Sequence, residues 1–180
     1  MVDIFPGVKL SDITSEIDCA FVSVGSGNGT IEWKIREAIG KSFPAIPIDP
    51  NPESYVKFPL DGNFIPPAYD YVENLIAFNP EIVGNCILCI FWPEYGNDTY
   101  DADAIKLLRP RKVISLYELH GGAGSNALHL FMKKCGVPNK FYSGLGPCEA
   151  GDYRAKKTIV QRNKHPFGVN TDVFVVLERV

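Results

Sequence analysis

The stretch Val22-Ser23-Val24-Gly25-Ser26-Gly27-Asn28-Gly29-Thr30 decides the fold. It begins inside an apolar, β-branched run at residues 19–24 (CAFVSV), the pattern of a buried strand. It ends where Ile31, Ile35 and Ala38/Ile39 recur at helical spacing, with Gly40 as a C-cap. Strand, glycine turn and helix therefore follow one another directly. Glycine admits positive φ and lets a ligand approach the backbone. The helix that follows turns its free N–H groups toward whatever sits against the turn.

The pattern continues outward from this unit. Residues 45–48 form a short strand closed by Asp49-Pro50-Asn51-Pro52. Residues 53–67 are Pro-rich and aromatic, which predicts an irregular loop with at most one weak strand. Residues 68–78 carry Tyr71, Leu75 and Phe78 at helical spacing. Residues 86–92 (CILCIFW) and 112–119 (KVISLYEL) read as buried strands, and 101–108 and 126–134 as helices, the last closed by Gly136. Two closing strands, 157–161 and 172–177, lie close together. This alternation predicts one α/β domain over residues 1–180: a Rossmann-like, doubly wound, mostly parallel sheet with helices on both faces and a C-terminal antiparallel hairpin.

Asp49 stands twenty residues beyond Gly29, at the end of the second strand. An acid there accepts hydrogen bonds from ribose hydroxyls in nucleotide-binding units of this design. The glycine spacing separates the cofactor classes. Dinucleotide folds use G-x-G-x-x-G, whereas this chain has G-x-G-x-G with Thr30 in the third glycine's place. A nucleotide-binding oxidoreductase is thereby disfavoured. A P-loop is excluded too, because no Gly-Lys-Ser/Thr follows.

Gly25-Ser26-Gly27-Asn28-Gly29 after an apolar strand resembles motif I of the class I S-adenosylmethionine-dependent methyltransferases, and Asp49 matches the position of their ribose-binding acid. The resemblance covers most of residues 15–180 and implies their seven-stranded sheet. It implies S-adenosylmethionine as cofactor, its methionine part against Gly25, Gly27 and Gly29 and its ribose on Asp49. Ser23 occupies the position where the family commonly carries an acid; it can hydrogen-bond but cannot pair with the cofactor's ammonium.

Ligands of open parallel sheets bind outside the carboxyl ends of the strands. That rule brings Phe91 and Trp92 beside the cofactor, followed by Pro93, Glu94 and Tyr95. Glu94 is the candidate base for an acceptor that must lose a proton. Trp92 or Tyr95 is suited to stack on a flat substrate or to steady a cationic methyl donor. The segment lies where amino-group methyltransferases carry Asp/Asn-Pro-Pro-Tyr, without the amide and the second proline. His120, in the glycine-rich 120–125 turn, belongs to the same rim.

Composition narrows the class. No apolar run approaches the roughly 18 residues of a membrane span, and the first ten residues lack the basic and apolar regions of a secretory signal. Five scattered cysteines suit a reduced, cytoplasmic protein. Cys86 and Cys89 fall on opposite faces of one strand, which makes them packing residues, and three separated histidines give no metal site. The charge is uneven: residues 1–100 hold 5 Lys/Arg and 14 Asp/Glu, a balance of −9, while 101–180 hold 13 and 7, a balance of +6. Arg109, Arg111, Lys112, Lys156, Lys157, Arg162, Lys164 and His165 supply much of the positive half. They suit an anionic acceptor such as RNA; a solvated polar face is the plainer reading, since no dense basic run occurs. The expectation is a methyltransferase acting on a small molecule or an RNA. Its rival is a catalytically inactive binding or scaffold module of the same fold, favoured by Ser23.

Overall fold

The computed structural model describes residues 3–5, 8–50, 65–93, 99–119, 123–137, 152–165 and 168–180. In chain order the elements are β1 (Asp3–Phe5), β2 (Val8–Lys9), α1 (Leu10–Thr14), β3 (Phe21–Val24), α2 (Thr30–Ile39), β4 (Ala45–Ile48), α3 (Val72–Phe78), β5 (Ile87–Phe91), α4 (Tyr100–Leu108), β6 (Lys112–Glu118), α5 (Asn126–Lys134), β7 (Tyr153–His165) and β8 (Gly168–Arg179). Six strands form one sheet in the order β4-β3-β5-β6-β8-β7. The first four run parallel. β8 is antiparallel to both neighbours and lies between β6 and β7. Strand order reverses between β3 and β5, so the crevice of an open α/β sheet falls at their carboxyl ends.

The strands are apolar on both faces because both faces are covered. Phe21, Ile87, Cys89, Ile114 and Phe174 pack with Ile13 of α1 and Ile35 of α2 on one side. Val22, Leu88, Val113 and Val175 pack on the other side with Leu75 of α3, Ile105 of α4 and Leu128 of α5. Cys86 and Cys89 divide between these two clusters, and both thiols are free.

Several elements depart from the sequence reading. The segment before residue 15 forms a small antiparallel ribbon and a helical turn, α1, that the periodicity did not announce. α3 begins only at Val72. Its buried residues are Val72 and Leu75, while Tyr71 and Phe78 are 57% and 77% exposed. Tyr71 is the extended N-cap, outside the helical repeat. The sheet has six strands among the described residues, against the seven implied by the resemblance. At the outer edge of β4 the only pairing among them is an isolated parallel bridge, Ile48 to Tyr69. The closing strands are longer than expected. β6 pairs with β8 as far as Glu118–Asp172, whereas β7 and β8 continue pairing to His165–Gly168.

The charges are interleaved by the fold. Lys156 lies 2.7 Å from Glu178 and 3.9 Å from Glu16. Lys112 reaches the same two acids at 3.8 Å. Lys157 approaches Asp12 at 3.6 Å, Arg111 Asp18 at 3.4 Å, and Arg109 Asp152 at 3.9 Å. The acidic first part of the chain thus packs beside the basic last part.

Candidate functional site

The 25–29 loop leaves β3 at its carboxyl end, and Gly25, Gly27 and Gly29 all have positive φ, at 70°, 58° and 72°. The amides of Gly25 and Ser26 donate to the Ile48 carbonyl at 3.0 and 3.2 Å, tying the loop to the end of β4. The next residue in β4's path, Asp49, is buried, and its Oδ2 accepts the Gly27 amide at 2.7 Å. Gly29 is the left-handed N-cap of α2, and a Cβ there would stand 1.8 Å from the Ile65 carbonyl oxygen. That approach is open to glycine alone. The two signals read from sequence, the glycine turn and the distant acid, are thus in direct contact.

Ser23 is buried on the opposite side of β3 from the cavity described below. Its hydroxyl donates to Glu32 Oε1, in the first turn of α2. Glu32 is 1% exposed, and its Oε2 has no hydrogen-bond partner among the described residues. Burial pushes the Glu32 carboxyl up to about 7; the Ser23 hydrogen bond opposes the shift, and the Asp49 charge adds to it.

A cavity of about 480 Å³ opens at the carboxyl ends of β3 and β4. Val24, Ile48 and Pro50 floor it, Asp70, Tyr71 and Glu73 wall one side, and Thr99, Tyr100 and Asp103 the other. The Tyr100 hydroxyl lies above Gly25, 3.3 Å from where a Cβ would be. At the rim the Lys106 ammonium, and then the Thr99 hydroxyl, hold the Asp103 carboxyl below its ordinary range. The volume lies within the range of roughly 300–1,000 Å³ usual for small-molecule sites.

The remaining sequence-predicted residues are distributed around this edge. Phe91 is buried in the core on the α2 side and does not line the cavity. Trp92 is half-buried against the same cluster and takes a φ of 50°, a conformation that costs energy for a non-glycine residue. It ends β5 at the crevice, with its amide on the Leu116 carbonyl at 2.9 Å. Glu94, Tyr95 and His120 lie outside the described residues, as do the side chains of Lys164 and His165. Among the described residues, no group of three His, Cys, Asp or Glu side chains could hold a metal ion.

Sequence reasoning missed Glu32, Asp70, Tyr100 and Asp101. Asp101 is fully buried and accepts from the Ser125 amide at 2.9 Å, the Ser125 hydroxyl at 2.5 Å and the Ala102 amide at 2.7 Å. It fastens the start of α4 to the N-cap of α5. An acid in the first turn of a helix was the only sequence signal for Glu32 and Asp101, and it carries no information about the partner across the sheet.

The strand order, the helices on both faces and the glycine loop at the switch point are those of the class I methyltransferase fold. No family model and no curated protein matches the sequence. Among solved structures, the chain is similar to an antibiotic-related methyltransferase, with a TM-score of 0.50 and 14% identity over 98% of this chain and 95% of that one. It is similar to an rRNA methylase from Streptococcus thermophilus, with a TM-score of 0.52 and 12% identity over 100% and 99%. TrmN from Thermus thermophilus gives 0.51 and 15% identity over 95% of this chain and 47% of its own. No described helix is long and apolar enough to cross a membrane.

Proposed function

We propose that this chain is an S-adenosylmethionine-dependent methyltransferase with a small-molecule acceptor. The observation that carries the reading is the 25–29 loop, held by Asp49 at the carboxyl ends of β3 and β4, where Val24 and Ile48, the residues just before the loop and the acid, line a cavity. The chain's residues fit the cofactor. The positive-φ glycines would let its methionine part approach the loop backbone, and the cavity suits an adenosyl group by volume and by its acceptors Asp70, Glu73 and Asp103. Asp49 would accept the ribose hydroxyls beside its bond to Gly27. Tyr71 and Tyr100 offer ring surface to the base.

When bound, S-adenosylmethionine supplies an electrophilic methyl group on a sulfonium that becomes a neutral thioether on transfer. The protein's part is alignment of the acceptor and removal of water. Trp92, next after β5, would border the methyl group, Glu94 would take the acceptor's proton, and Tyr95 would stack on the acceptor. A small acceptor is favoured over a phosphate backbone because Arg111, Lys112, Lys156 and Lys157 are already paired with acids.

Calorimetry with S-adenosylmethionine, S-adenosylhomocysteine and NAD tests the reading. Binding of the first two and not the third is expected. Binding of NAD alone would overturn it. Cofactor binding without methyl transfer to any acceptor tried would favour the inactive scaffold of this fold.

A further inference from the structure

The Ser23–Glu32 pair has no part in the contacts assigned above. Glu32 and Asp49 are two buried carboxylates flanking one glycine loop, Glu32 from the first turn of α2 and Asp49 from the end of β4. Asp49 is committed to the Gly27 amide, whereas Glu32 keeps one oxygen on Ser23 and one without a partner. The groups that act on Glu32 are Ser23 of β3, its own backbone amide and Asp49 just beyond β4, and its charge in turn acts on Cys89 of β5 across the sheet face. Its own helix offers Arg36 one turn further on, but the Arg36 Nε is itself buried without a hydrogen-bond partner. Among the described residues, no cation is one of the groups that act on the Glu32 carboxyl. A buried carboxylate with an unmet oxygen and a like charge nearby favours its neutral form. Burial accordingly raises the Glu32 carboxyl to about 7.

We propose that Glu32 is a positioning residue whose charge state is set by the cofactor: it is protonated in the free protein and ionises when the cationic methionine end of S-adenosylmethionine settles on the 25–29 loop. The inference rests on the cofactor reading above. The O–H bond of the Glu32 carboxyl breaks, its proton passes to solvent, and the carboxylate left behind faces a cation through the low-dielectric loop. Glu32 lines none of the cavity, so it acts through Ser23 and the loop backbone and not by touching the reacting atoms. Two cations are available at that end of the cofactor, the α-ammonium and the sulfonium, and S-adenosylhomocysteine keeps only the first.

The test is calorimetry on the full chain at pH 7 in phosphate and in Tris, whose heats of ionisation differ. Binding of S-adenosylmethionine should release a fraction of a proton, up to about half per site for a group near its midpoint. Its Kd should fall roughly fivefold from pH 6 to pH 8 if the bound pKa drops by one unit. Release with both ligands assigns the ammonium, and release with S-adenosylmethionine alone assigns the sulfonium; either supports the proposal. Glu32→Gln should abolish the release, flatten the pH profile and weaken binding at pH 8 several-fold. Ser23→Ala removes the hydrogen bond that holds the pKa down, so the release should move to higher pH. Buffer-independent heats with a flat Kd would overturn the proposal while leaving the cofactor reading intact. Absence of binding by either ligand would remove the cofactor reading, and the proposal with it.

Discussion

The Gly27 amide donates to the Asp49 carboxylate at 2.7 Å, joining residues 22 positions apart at the mouth of the crevice. A charge-assisted bond of this kind is among the stronger hydrogen bonds in a protein. It fixes the loop against the end of β4 and holds the acid between Ile48 and Pro50, two residues that line the cavity. Asp49→Ala should therefore weaken S-adenosylhomocysteine binding by roughly 1.5–3 kcal/mol, or about ten- to a hundredfold in Kd. Circular dichroism should report an intact fold. An unchanged dissociation constant would remove Asp49 from the site.

Gly27→Val should abolish cofactor binding in a protein that still folds, because the side chain enters the space where the ligand meets the loop. Gly29 is the contrasting position. Both residues have positive φ, 58° and 72°, so a side chain strains either, but at Gly29 a Cβ would also collide with the Ile65 carbonyl. Gly29→Ala should lower stability by roughly 2–4 kcal/mol even without ligand. Thermal melts of both variants separate the two roles; a wild-type melting temperature for Gly29→Ala would refute the close packing.

Much of the fold was legible because its signals are local. Buried strands such as 19–24 and 86–92 announce themselves as apolar runs, and the 25–29 turn announces itself through glycine. Asp49 stood out because β4 is short and is followed at once by Asp49-Pro50. Glu32 and Asp101 were not, because their partners, Ser23 and Ser125, lie 9 and 24 residues away and meet them only through tertiary packing. Tyr71 misled for a related reason: its spacing to Leu75 is helical, but it stands outside the helix as the N-cap and joins the cavity wall. The charge asymmetry along the chain does not survive as separate surfaces at these positions, because Lys156 and Lys157 meet acids from the start of the chain.

Asp101 ties α4 to α5 with two hydrogen bonds from Ser125, and accepts a third from Ala102 of its own helix, from a fully buried position. Asp101→Ala leaves the amide and hydroxyl of Ser125 unmet, at a cost of roughly 2–4 kcal/mol. Asp101→Asn retains one acceptor oxygen and should cost about half as much. Urea unfolding of the three proteins decides it, and equal stabilities would show the clamp to be idle.

The Glu32 carboxyl also sets a pH dependence of stability. Its folded pKa, about 7, is above the ordinary value of 4.5, so between those values the folded state holds a proton that the unfolded state has lost. Its contribution is fully present below the unfolded value and disappears as pH rises through the folded one. Stability should fall by roughly 3 kcal/mol from pH 4.5 to pH 7.5 through this group. Glu32→Gln should remove that slope, and identical slopes for the two proteins would refute the assignment.

The acceptor class is open to a test through salt. A protein that grips RNA by phosphate contacts loses affinity steeply as salt rises, because each neutralised phosphate releases counterions. Here Lys156 and Lys157 already face Glu178, Glu16 and Asp12 at 2.7 to 3.9 Å. An incoming phosphate would have to displace those acids, and it would meet their repulsion. Arg162 is exposed, but one arginine supplies a salt slope of only about one. Filter binding with a short RNA should therefore show weak retention at low salt and none at physiological salt. Replacing Lys156, Lys157 and Lys164 by Gln should leave both that result and cofactor binding unchanged, and should alter stability by no more than about 1 kcal/mol, the usual worth of exposed ion pairs. Tight binding with a steep salt slope, lost in the triple variant, would reverse the assignment and make the C-terminal hairpin an RNA-binding surface.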